Sequence, residues 1–152
     1  MFSFLRKKKD FFTPEQQQGI VQAIRSNERR TSGEIRVFVE SKCSWINPLD
    51  RAYEVFYGLG MERTDDRNGV LIYVAIKDRQ LAVFGDENIH IKLGNDYWQQ
   101  AVNNMIKKFT ADNVPAGIRQ CVEDIGEALY KHFPYDNDTD KNELPDDIVF
   151  GK

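Results

Sequence analysis

The stretch Arg67-Asn-Gly-Val-Leu-Ile-Tyr-Val-Ala-Ile-Lys-Asp-Arg-Gln-Leu-Ala-Val-Phe-Gly-Asp-Glu87 is the one segment whose hydrophobicity can carry a whole fold. From Val70 to Ile76 every residue is apolar or aromatic, and a short continuous run rich in β-branched side chains predicts a central strand covered on both faces. Lys77-Asp78-Arg79 is a polar turn, and Leu81-Ala-Val-Phe84 follows it, so the two runs read as an antiparallel hairpin ending at Gly85. The hairpin has a chemical consequence. Folding the chain back returns Asp86 and Glu87 beside the start of the first strand, where Asp65 and Asp66 lie, and four carboxylates converge at one end of the sheet. Either acidic pair alone is ordinary loop composition. The alternative reading is a solvated acidic rim balanced by Arg63 and Arg67.

Upstream, Thr13-Pro-Glu-Gln16 is a helix start, with a capping threonine, a first-turn proline and a glutamine to complete a capping box. The helix runs to about Arg30 with a thin apolar face of Ile20, Val21, Ala23 and Ile24, and Thr31-Ser-Gly33 breaks it. Glu34–Ser41 alternates, placing Ile35, Val37 and Val39 on one face of a strand. Asn47 and Pro48 start a second helix that keeps Ala52, Val55, Phe56 and Leu59 on one side until Gly58 and Gly60. Strand, helix, strand is a βαβ unit, so its strands should run parallel.

Downstream, Trp98, Val102, Met105 and Phe109 keep helical spacing, and Ile118, Val122, Ile125 and Leu129 repeat it after a cap at Asn113 and Pro115. These stripes read as core. Residues 134–152 carry six Asp/Glu against two Lys/Arg and no periodicity, and read as an acidic tail from which Ile148-Val-Phe150 can dock back. Residues 1–12 read as a flexible N-terminal arm and 13–133 as a single domain.

The chain of 152 residues can bury roughly two-thirds of its unfolded surface without staples. A net charge of −3 gives no reason to expect a nucleic-acid binder. Cys43 and Cys121 are too few and too far apart for a disulfide framework or a zinc site. Met1-Phe-Ser-Phe-Leu5 precedes Arg6-Lys-Lys-Lys9, the reverse of a secretory signal, and no stretch is long and apolar enough to span a bilayer. A soluble, cytoplasmic, monomeric protein is the expectation. The basic segment beside Phe2, Phe4, Phe11 and Phe12 offers a second possibility, contact with an anionic membrane.

Several motifs fail. Asp136, Asp138, Asp140 and Asp147 match four ligand positions of a calcium loop, but Lys141 stands where its sharp turn needs glycine. No glycine-rich phosphate loop precedes a helix, and neither cysteine belongs to a phosphate-cradling thiol loop. His132 sits near the end of the last helix, where a cation is favoured. His90 follows the second acidic pair, either to assist a metal or as a plain loop residue.

Taken together, Thr31-Ser-Gly-Glu-Ile-Arg-Val37, Arg51-Ala-Tyr-Glu-Val-Phe56, Arg67-Asn-Gly-Val-Leu-Ile-Tyr-Val-Ala75, Phe84-Gly-Asp-Glu87 and the Trp98 helix resemble the TPM domain family, in its short soluble bacterial form, over about residues 13–133. The resemblance implies a three-layer α/β/α sandwich, with a small mixed sheet and at least four helices, and divalent metal binding at an acidic pocket. For some plant members it also implies acid phosphatase activity. Asp66, Asp86 and Glu87 match the family's acidic pocket, with Asp65 beside them, and Arg63 is the candidate pocket cation. Phe84-Gly-Asp-Glu-Asn-Ile89 replaces the Gly-Tyr-Gly-Leu-Glu type of sequence common there.

Three functions follow as expectations. The first is a divalent-cation module: hard oxygen ligands favour Ca²⁺ or Mg²⁺ when no His/Cys set competes. The second is metal-assisted phosphomonoester hydrolysis, for which the chain offers no evident nucleophile. The third is a non-catalytic module that recruits an unidentified protein partner.

Overall fold

The computed structural model describes residues 11–43, 46–109, 112–135 and 147–151. Its interior is organised on strand β2, Gly69–Ala75, all seven residues of which are buried. β2 pairs on one side in parallel with β1, Glu34–Glu40, in the register Glu34↔Gly69 to Glu40↔Ala75. On the other side it pairs antiparallel with β3, Gln80–Gly85, from Val70↔Gly85 to Ala75↔Gln80. The predicted hairpin and βαβ unit are both present. A fourth strand, β4 (Ile148–Phe150), runs parallel to β1 on its free side, giving the order β3-β2-β1-β4.

Successive strand residues face opposite sides of a sheet, and the helices divide accordingly. Ile35, Val37 and Val39 of β1, with Val70, Ile72 and Val74 of β2, face α1 (Pro14–Glu28) and α5 (Val114–His132) in the larger core. Leu71, Tyr73 and Ala75 face α2 (Pro48–Gly58), which contributes Ala52, Val55 and Phe56. The chain is thus an α/β/α sandwich. Thr13 and Gln16 form the predicted capping box, and Asn47 and Asn113 cap the other two helices through Asp50 and Ala116 N–H groups.

Three features bear on the sequence expectation, the first and third as departures. First, Glu87–Leu93 is a helix, α3, rather than a loop, followed closely by α4 (Asn95–Lys108). Seven residues are too few to show a period; Ile89 and Leu93, four apart, are the buried pair that holds it down. Second, the docking that the sequence allowed for Ile148–Phe150 takes place: β4 pairs with β1, and Gly151 N–H donates to Val39 O at 2.7 Å. Residues 136–146, including Asp136, Asp138 and Asp140, lie outside the described residues.

Third, the end of the supposed arm is core. Phe12 is 5% exposed, and the Phe11 and Phe12 rings lie 6.0 and 6.2 Å from that of Phe150. Phe12 is thus not available to a membrane surface, whereas Phe11 is half-buried. Residues 1–10 lie outside the described residues. Among the described residues no helix is long and apolar enough to cross a bilayer.

Candidate functional site

The hairpin does bring the acidic segments together. Because Gly85 pairs with Val70, Asp86 arrives beside the first residue of β2, and its N–H donates to Gly69 O at 2.9 Å. β1 starts at the same end: Glu34 N–H donates to Asn68 O at 3.4 Å, and Asn68 Nδ2 to Ser32 Oγ at 3.3 Å. Asp86 is buried and caps α3, its Oδ1 accepting from Glu87 N–H at 2.7 Å. Asp65, Asp66 and Glu87 stand exposed around it. The loop before β2 is tied to α3 by Asn88, which donates N–H to Arg67 O at 3.1 Å and Nδ2 to Asp66 O at 2.6 Å.

The cation paired with Asp86 and Glu87 is Arg67. Arg67 Nε and Nη2 donate to Asp86 Oδ2 and Oδ1, each at 2.8 Å, and Nη1 reaches Glu87 Oε1 at 3.0 Å. Arg63, the candidate pocket cation, lies along Gly60, its guanidinium carbon 3.7 Å from where a β-carbon there would stand. Hydrogen bonding to Asp86, opposed by desolvation and aided by the charges of Asp86 and Glu87, raises the Arg67 pKa above its ordinary value. The Arg67 backbone is left-handed, with φ 49°. Asn68 and Gly69, which tolerate that region better, follow it directly, so the chain accepts the less favourable residue where the guanidinium must reach Asp86.

Two buried oxygens in the same loop, Glu62 Oε1 and Thr64 Oγ1, have no hydrogen-bond partner among the described residues, and Thr64 is only 5% exposed. The Tyr57 phenol is pushed up by desolvation and then by the charge of Asp86, with Glu62 adding and Arg67 opposing, so these groups share one electrostatic neighbourhood. In kind, these oxygens suit a hard cation. In arrangement they do not, while Arg67 holds Asp86 and Glu87: among the described residues no group of three or more His, Cys, Asp or Glu is placed to hold a metal ion.

His90 lies on α3, its Nδ1 3.0 Å from Asn95 Oδ1 and its ring 6.4 Å from that of Trp98. It lines a groove of about 330 Å³ along the free edge of β3, walled by Leu49 of α2 and by Trp98, Val102 and Ile106 of α4. At the opposite end of the sheet a second polar cluster went unread in the sequence. Arg51 donates Nε and Nη2 to Glu40 at 2.9 and 3.0 Å, and the buried Tyr73 hydroxyl also donates to Glu40. The signal was available: Glu40 ends a strand and Arg51 opens the crossover helix that returns past it.

The TPM domain model matches residues 5–128, from before α1 to near the end of α5. The chain belongs to the TPM domain family. Among solved structures, this TPM-domain chain is similar to BA42 from the psychrophilic bacterium Bizionia argentinensis, at 41% identity over 92% of this chain and 95% of that one, with a TM-score of 0.82. It also resembles the N-terminal domain of cg2496 from Corynebacterium glutamicum, at 16% identity over 78% and 74% of the two chains with a TM-score of 0.53, a likeness of fold alone. No curated protein matches it. In this TPM domain β4 lies beyond the matched residues and still completes the sheet.

Proposed function

We propose that this TPM domain binds a divalent cation, Ca²⁺ or Mg²⁺, at the end of the sheet where Asp65, Asp66, Asp86 and Glu87 meet. The observation that carries the reading is the main-chain tie from Asp86 to Gly69, which joins two acidic segments about twenty residues apart around one buried carboxylate. Glu62 Oε1 and Thr64 Oγ1 add oxygens with no other partner among the described residues. Loop carbonyls and carboxylates are the donors that hard cations take, and binding relieves repulsion among the exposed acids. Calcium titration followed by backbone amide shifts tests this. Shifts are expected at 65–69 and 85–88; their absence there at millimolar calcium overturns the reading.

Phosphomonoester hydrolysis draws less support. His90 is engaged with Asn95, and Cys121 is buried in the larger core. Among the described residues no nucleophile and base stand paired in the cluster.

A second reading, a protein-interaction module, is favoured by the groove beside β3. An edge strand presents unpaired main-chain groups, and here it is flanked by exposed Leu49 and Ile106. Leu49→Asp together with Ile106→Asp should abolish capture of a partner without altering the fold; capture that survives both changes sinks this reading.

A further inference from the structure

We propose that the groove along β3 receives Met1-Phe-Ser-Phe-Leu5 of a second copy of this chain as an added parallel strand, with Arg6-Lys-Lys-Lys9 reaching the acidic end of the sheet. This names the partner for the interaction reading of the groove and rests on that reading.

The groove is shaped for a main chain. Asp86 N–H donates to Gly69 O and Asn88 N–H to Arg67 O, so in the register of this hairpin it is Phe84, Ala82 and Gln80 that exchange hydrogen bonds with β2. Alternation turns the N–H and C=O groups of Leu81, Val83 and Gly85 outward, and among the described residues no loop, turn or cap bond reaches them. On an open edge strand water satisfies such groups. Here the edge is recessed: Val83 is 3% and Leu81 8% exposed, between Leu49 of α2 and Trp98, Val102 and Ile106 of α4. Buried main-chain groups need partners, and an extended chain supplies them in register. The recess also selects the occupant. Helices on both sides of β3 hold off the edge of a second folded sheet, so what enters is a terminal segment.

Residues 1–9 match the groove in length, pattern and charge. Five residues of β3, Leu81 to Gly85, line it, and five residues precede the basic run at the start of the chain. An added strand sends successive side chains to opposite sides, so Phe2 and Phe4 meet one wall and Met1 and Leu5 the other. Running parallel to β3, it leaves the groove at Gly85, and Arg6 to Lys9 arrive among the exposed Asp65, Asp66 and Glu87. The opposite direction would set four cations beside Lys77 and Arg79.

The segment comes from another copy because a chain's own cannot reach. Phe11 packs on Phe150, which stands beside Val39, whereas Gly85 stands beside Val70 and Ile35. In the order β3-β2-β1-β4 the groove is four strand spacings from β4, about 19 Å across and about 13 Å along, or about 23 Å in a straight line through the sheet. The six steps from Leu5 to Phe11 span at most about 22 Å, and any real path runs around the helices. A groove on one edge and a segment leaving the other make a head-to-tail contact, which adds further copies rather than closing as a symmetric pair.

Analytical ultracentrifugation of the full chain tests this, with Phe2→Asp plus Phe4→Asp as the segment variant and Leu49→Asp plus Ile106→Asp as the groove variant. Wild type should associate beyond the dimer as its concentration rises, and less at high salt, which screens contacts between exposed charges. Each variant alone should sediment as the 17.7 kDa chain. Mixed, they restore one contact, an intact segment in an intact groove, and should form a one-to-one complex of about twice that mass that grows no further. The wild-type amides of 81–85 should also shift with concentration, a readout that needs no variant and decides the matter if one fails to fold. Wild type that stays monomeric at millimolar concentration, or association that either variant alone retains in full, overturns the proposal and leaves the groove reading to partner capture. A groove variant that loses neither self-association nor partner capture overturns both.

Discussion

Gly126 of α5 lies directly under the Asn27 side chain of α1: a β-carbon at 126 would stand 2.0 Å from Asn27 Oδ1, 2.4 Å from Cγ and 2.7 Å from Cβ. Asn27 is 1% exposed and donates Nδ2 to Ala23 O and Glu123 Oε1, each at 2.9 Å. Rotating the amide away cannot clear the clash, because the Asn27 Cβ takes part in it. Gly126→Ala should therefore force the helices apart and cost about 1–3 kcal/mol, despite a gain in helix propensity of about 1 kcal/mol. Urea denaturation reads this directly; an unchanged or raised midpoint would mean that α1 and α5 yield easily.

Glu40 supplies a pH prediction. Burial works against its carboxylate, but hydrogen bonds from Arg51 and Tyr73 outweigh burial and lower its pKa from 4.5. A carboxylate lowered on folding stabilises the native state above its unfolded pKa, and that contribution disappears as pH falls through the folded value. Glu40→Gln should cost about 2 kcal/mol at pH 7, discounted from the usual figure for a broken buried pair because Arg51 is one-third exposed. The gap between variant and wild type should hold from pH 8 to 5 and narrow below 4.5. A gap independent of pH down to 3 contradicts the charge argument.

The two thiols should separate by reactivity. Burial, aided by Asp124, pushes the Cys121 thiol up to about 12, while Cys43 is half-buried and donates its S–H to Ile46 O at 3.2 Å. Thiolate is the reactive form. Iodoacetamide at pH 8 should label Cys43 in the native protein and Cys121 only after unfolding, as peptide mass spectrometry would show. Native labelling of Cys121 at a comparable rate would contradict the packing around α5.

Thr13 Oγ1 accepts from Gln16 N–H at 3.1 Å, and Gln16 Oε1 accepts from Thr13 N–H at 2.8 Å. Losing the side-chain half of this box in Thr13→Ala should cost about 1 kcal/mol, and Thr13→Ser should cost almost nothing. Thermal melts of the two variants provide the comparison. Equal loss in both would point to packing of the threonine methyl instead.

Much of this fold was legible because its elements carry strong local signals. β2 is buried on both faces, and an uninterrupted run such as Val70–Ala75 has little other use in a chain of this size. α1, α2 and α5 announce their starts with Thr13-Pro, Asn47-Pro and Asn113 followed by Pro115, and each cap is made. The element that was missed is short: α3 has seven residues, too few to show a period, and is held down by Ile89 and Leu93. β4, for which the sequence allowed docking at Ile148–Phe150, has only three, and its place beside β1 is fixed by contacts with a distant part of the chain, Phe150 against Phe11 and Phe12.

The candidate site divides along the same line. Residue order alone settles that Asp65 and Asp66 share an end of the sheet with Asp86 and Glu87, because a strand that reverses must return its end to its partner's beginning. Which cation stands among those acids does not follow from order. Arg63 and Arg67 lie four residues apart in the same loop, and both are long enough to reach. The choice depends on a single left-handed residue, φ 49° at Arg67, which aims that guanidinium at Asp86. Backbone strain of this kind is maintained by the surrounding tertiary hydrogen bonds, here from Asn88 to Arg67 and Asp66, and no local preference of the residues 64–68 specifies it.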